Sequence, residues 1–76
     1  MFFTLPDGQR FEAKRTKRGQ QEYAATALMG YPCPDGSVSK LWTLVSRHTT
    51  YKAASEATGK ALKAPHCLEV MMITAR

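Results

Sequence analysis

Four side chains in this sequence are of types that hold a transition metal or carry nucleophilic chemistry: Cys33, His48, His66 and Cys67. Structural zinc takes four such ligands in a tetrahedron, usually contributed as closely spaced pairs. No C-x-x-C or H-x-x-x-H spacing occurs, and His66 and Cys67 are adjacent, a poor geometry for one tetrahedral centre. A Cys–His catalytic pair needs an activated thiol and a third group to orient the imidazole. The spacing supplies neither. Cys33, between two prolines, reads as exposed, and Cys67, at the start of an apolar run, as a packing residue. Gly8 and Gly36 each follow an Asp in turn contexts, outside any GxGxxG or GxxxxGKS phosphate loop. The expectation is no metal, no cofactor, no structural disulfide and no enzymatic activity, the more so because so small a core leaves little room for a substrate pocket.

Binding chemistry has a more specific signal. The stretch "RFEAKRTKRGQQ", Arg10 to Gln21, places five of the eleven Lys and Arg residues within nine positions. Along a strand, Arg10, Lys14 and Arg18 share one face, while Arg15 and Lys17 share the other with Phe11. Past Ala13 no apolar face remains, so the ribbon must leave the core. A protruding basic ribbon suits a phosphate backbone or a major groove. It equally suits an acidic protein groove, and it also reads as an edge defended from aggregation by Lys and Arg. The aromatic interleaving of a single-strand binder is thin, with Phe11 before the run and Tyr23 after it. Trp42 is the other candidate: core if a helix covers its face, a partner anchor if that face is open. The candidate binding residues are therefore Arg10, Lys14, Arg15, Lys17, Arg18 and Trp42.

The bulk properties narrow the class. Seventy-six residues make a single domain, 1–76, with one core. With 43% apolar and 22% charged residues the chain is globular rather than disordered. A formal charge of +5 favours acidic partners, either nucleic acid or an acidic protein face. "MFFTLPDG" lacks the basic and long apolar regions of a secretory signal, and no apolar run approaches the roughly 20 residues that span a bilayer. Two thiols are too few for a disulfide-stapled scaffold. The reading is a cytoplasmic protein with reduced cysteines and no membrane partner.

The elements that must position these residues follow from periodicity and turn chemistry. "MFFTL", "PDGQ" and "RFEAKRT" read as strand, turn and strand, a β-hairpin from Met1 to about Lys17. Residues 20–29 combine good helix formers with a two-residue alternation, so they read as either a third strand or a second helix. "GYPCPDGS" is a loop. "VSKLWTLVS" is apolar on both faces and reads as the central strand. "HTTYKAASEATGKALKAP" is a helix over about 50–63, capped by Thr49 or Thr50 and ended by Pro65. Its stripe of Ala54, Ala57, Ala61 and Leu62 is expected to pack on Leu41, Val45, Val70 and Met72. "CLEVMMIT" is a terminal strand. The fold class is α+β: a small antiparallel sheet with one main helix packed on one face.

The helix-to-strand ending "TTYKAASEATGKALKAPHCLEVMMI", with the "TLPDGQRF" hairpin, resembles the layout of small phage-encoded inhibitors, the anti-CRISPR proteins. The resemblance is architectural and assigns no residues. It implies a non-enzymatic cytoplasmic protein in a bacterial host cell that binds a CRISPR–Cas effector complex and blocks target DNA binding or nuclease recruitment. Many such inhibitors are acidic DNA mimics, a mechanism that a charge of +5 excludes. A basic member would occupy an acidic or nucleic-acid-contacting protein surface, or contact nucleic acid itself. A second resemblance is to the arm-binding domains of phage integrases, which read DNA with a three-stranded sheet followed by a helix. The terminal strand departs from that pattern. A housekeeping protein-interaction domain is the remaining alternative.

Overall fold

The computed structural model describes residues 1–13 and 21–76. Among them the elements run β1 (Phe2–Thr4), β2 (Arg10–Glu12), β3 (Tyr23–Pro32), β4 (Val38–His48), α1 (Tyr51–Leu62) and β5 (Cys67–Thr74). β1 and β2 form an antiparallel hairpin, and the other three strands form an antiparallel sheet in the order β4-β3-β5. This is the expected α+β class, with α1 packed on one face of the sheet. The expected continuation of the hairpin to about Lys17 lies outside the described residues beyond Ala13.

Within 20–29, Tyr23–Met29 belong to β3, the strand alternative, and that strand, not "VSKLWTLVS", is central. The expectation of a central β4 is thus corrected, and the reason is steric. A strand pressed by a helix on one face and a hairpin on the other needs small side chains where both layers close in. β3 supplies them: Ala24, Ala25, Thr26 and Ala27 are all buried. β4 carries larger apolar residues on both faces because its position at the edge leaves room for them.

Two turns share one chemistry. In "LPDGQ", Gly8 N–H donates to Leu5 O at 2.9 Å and Leu5 N–H to Gln9 O at 2.8 Å. In "CPDGS", Gly36 N–H donates to Cys33 O at 3.0 Å and Cys33 N–H to Ser37 O at 2.8 Å. Each Asp accepts from the backbone N–H two residues on, and only the glycines, with φ of 96° and 89°, take the left-handed conformation. This is the three-residue hairpin loop, a type I turn followed by a left-handed glycine, rather than a two-residue loop built on Asp-Gly alone.

The hairpin lies across the face opposite α1. At one end Phe2 exchanges backbone hydrogen bonds with Arg76, at 2.7 and 2.9 Å. At the other end Gln9 Nε2 reaches the Trp42 carbonyl of β4 at 2.8 Å. Beneath it Phe3 is fully buried with Ala24 and Ala75, flanked by Phe11, Leu44 and Ile73. On the other face Thr50 caps α1, its hydroxyl accepting from Ala53 N–H at 3.3 Å. After the helix, Ala64–Cys67 close a turn in which Pro65 is followed by His66 at φ 66°, the position that favours Gly or Asn in a type II turn.

The helix sits chiefly over β3 and β5 and reaches β4 least. Ala54 and Ala61 are buried as expected, and Ala57, Val70 and Met72 are half-buried. Leu62, Leu41 and Val45 do not join that contact; they are 53%, 53% and 48% exposed. The four-residue stripe is correct in period but its axis is rotated toward Ala54 and Ala61, away from Leu62.

Candidate binding surface

The displacement of α1 toward β5 leaves the helix-facing side of β4 open. A groove of about 360 Å³ runs between them, lined mainly by Ala27, Met29, Tyr31, Thr43, Val45 and Ala61. Its lining is mostly apolar, Tyr31 and Val45 within it remain about half exposed, and Leu41, paired with the lining residue Met29, is exposed to the same degree. Small residues form the helix wall, so an occupant could approach the backbone closely. Another cleft, of about 380 Å³, is lined by Phe2, Thr4, Met72, Ile73, Thr74 and Arg76.

The sequence-predicted binding residues are distributed as follows. Lys14, Arg15, Lys17 and Arg18 lie outside the described residues. Arg10 is exposed at the start of β2, its guanidinium stacked 4.5 Å from the centre of the Phe2 ring. Trp42 is half-buried on β4, facing the hairpin side. The Gln9–Trp42 bond brings the turn just before Arg10 to the backbone of Trp42. The charge itself is segregated. Four of the eleven basic residues fall in 14–20, and the remaining seven almost balance the chain's six carboxylates, so nearly the whole excess belongs to that short segment.

The residues weighed for metal or nucleophilic chemistry do not converge. His48 pairs with Tyr23 at one end of β3, and His66 stacks against Tyr31 at the other, ring centres 5.4 Å apart. Tyr23 and Tyr31 are eight residue steps apart along β3, about 26 Å at 3.3 Å per step. His48 Nε2 shares a hydrogen bond with Ser46 Oγ at 2.7 Å. Cys33 and Cys67 are free and half-buried, their thiols directed at the Tyr31 and Glu69 carbonyls. Among the described residues no three His, Cys, Asp or Glu side chains cluster to hold a metal, and no helix is long and apolar enough to cross a membrane.

Sequence reasoning missed the groove. The sequence pattern puts Leu41 and Val45 in the helix contact and Tyr31 in a loop. The available signal was the alanine-rich helix, too narrow to cover three strands. No family model, curated protein or solved structure matches this chain.

Proposed function

We propose that this chain is a non-enzymatic binding protein that acts by occupying a surface of a larger protein assembly, as small phage-encoded inhibitors of CRISPR–Cas effector complexes do. The observation that carries the reading is the apolar groove between α1 and β4, lined in part by half-exposed Tyr31 and Val45. Apolar surface of this kind, left open beside a polar exterior, is characteristic of protein interaction sites. The concentrated charge of Lys14, Arg15, Lys17 and Arg18 supports an acidic partner, because complementary charge accelerates encounter while the apolar contact holds the complex. Blocking DNA binding or nuclease recruitment then requires only that the occupied surface be one the effector uses. The test is a pull-down with tagged protein from bacteria expressing CRISPR effectors, paired with an interference assay. Capture of an effector subunit together with loss of interference supports the reading. Capture of none, with interference intact, removes it.

The basic segment also sustains a second reading, a small DNA-binding module. Four phosphate contacts would give duplex affinity a log–log salt slope of roughly −3.6. A protein interface need not obey that phosphate-number rule, so titration with duplex DNA at several salt concentrations separates the two.

A further inference from the structure

The backbone parity of the sheet follows from three hydrogen bonds. Gly30 N–H donates to His66 O at 2.8 Å, and Ala75 N–H to Glu22 O at 3.1 Å, so even-numbered residues of the β3 segment turn their backbone toward β5. Odd-numbered Cys33 instead bonds Ser37, on the β4 side. By antiparallel alternation, Leu28 and Gly30 then make the non-hydrogen-bonded pairs with Trp42 and Lys40. Val38, Lys40, Trp42 and Leu44 accordingly point their N–H and C=O groups away from β3, toward a sheet edge that no other described strand occupies. Such a row is a template for an additional strand. Among the described residues, one of its groups is taken by a side chain. The Trp42 carbonyl accepts from Gln9 Nε2, whose amide nitrogen is itself held by Asp7 Oδ2 at 2.6 Å.

We propose that the β4 edge is a latent pairing surface for a second copy of this chain, held shut in the monomer by Gln9. The edge is self-complementary in one register. A two-fold axis through Leu41 sets Lys40 opposite the second copy's Trp42, Val38 opposite Leu44, and Ser39 opposite Thr43. Apolar residues then meet apolar residues, each ammonium meets an indole, and no like charges are directly opposed. An axis through Lys40 would set Lys40 against itself. An axis through Trp42 would carry pairing across Val45, the extra residue where the β3–β4 register shifts between Ala25 and Thr26, and would break the outward row. The Leu41 register joins the two sheets into a continuous antiparallel sheet of six strands. It also requires the second copy's Lys40 N–H to bond the Trp42 carbonyl, the acceptor Gln9 occupies. Latch and dimer compete for one atom.

The experiment compares wild type with Gln9→Ala and Gln9→Met by sedimentation velocity over a wide concentration range. Methionine keeps the side-chain length while removing the donor, so it reports the latch even if alanine perturbs the turn. Both variants should self-associate into dimers at least tenfold more tightly than wild type. Adding Lys40→Pro to either should restore the monomer with an unchanged far-UV spectrum, because the Lys40 N–H faces outward and its loss costs no β3–β4 bond. Variants no more dimeric than wild type, or a dimer that survives Lys40→Pro, would overturn the proposal.

Discussion

Individual residues in this fold are set by backbone geometry more than by chemistry, and the glycines make the point. Gly36 sits at φ 89° with nothing near its would-be Cβ, so its constraint is conformational. Gly36→Ala forces a left-handed alanine, a penalty of about 1–2 kcal/mol, and should lower the melting temperature by roughly 4–8 °C per kcal/mol. Gly30 has an ordinary strand backbone, and an added Cβ would meet Leu68 Cδ1 at 2.7 Å and Val38 Cγ1 at 3.1 Å. Leu68 is exposed and can swing aside, so Gly30→Ala should change stability by less than about 1 kcal/mol in the same melting experiment. Asp35 offers a test by pH. The Ser37 hydroxyl, then the Ser37 backbone N–H, hold its carboxyl below the ordinary value. Folding lowers this pKa, so the associated stability is present above the unfolded value of about 3.9. It is lost as pH falls through the lower folded value. Ser37→Ala should raise the Asp35 midpoint in an NMR titration toward the ordinary carboxylate range; an unmoved midpoint would deny the hydroxyl its role.

Among the elements, β3 carries the tightest packing, because both layers press on it. Ala25 is fully buried, and Ala25→Leu should cost about 1–3 kcal/mol by overpacking, read from urea unfolding. Ala54→Lys, which drives a charged chain into the helix–sheet contact, should cost more. Leu62→Lys should stay within about 0.5 kcal/mol, since Leu62 is exposed. A severe loss at Leu62 as well as at Ala54 would restore the helix orientation expected from the sequence. α1 was legible because cap, alanine stripe and terminating proline all coincide, and both turns because Pro-Asp-Gly has few alternatives. β3 was ambiguous because alanine is at once the best helix former and the side chain a doubly covered strand requires. Only the tertiary arrangement separates those uses. The apolar faces of β4 misled for a related reason: half-covered by the hairpin and half-open along the groove, they carry the pattern of a central strand at an edge. The groove itself could not be read, since it arises from where the helix lands rather than from any residue's type.

At the scale of the whole molecule, fold and charge are carried by different parts of the chain. Cα extents of 49 × 23 × 13 Å describe a long, thin body, while nearly all of the net charge comes from the sequence segment 14–20. Replacing Lys14, Arg15, Lys17 and Arg18 with Glu inverts the sign of the net charge. The melting temperature should change little, since each charge contributes at most about 1 kcal/mol when exposed. Association with an acidic partner should slow sharply. Equal binding by this variant would leave the groove alone to account for recognition. The mutual hydrogen bonds of Phe2 and Arg76 carry a further consequence, for the order of assembly during translation. Phe2, Phe3 and Leu5 are synthesised about seventy residues ahead of Ile73 and Ala75, which form part of the floor under Phe3. At about 5–20 residues per second, this apolar segment waits several seconds on the ribosome for its partners. It is the natural stretch for a chaperone to hold. Ribosome-stalled chains ending near residue 66 should expose Phe3 to protease, and chains extended well past Arg76 should protect it.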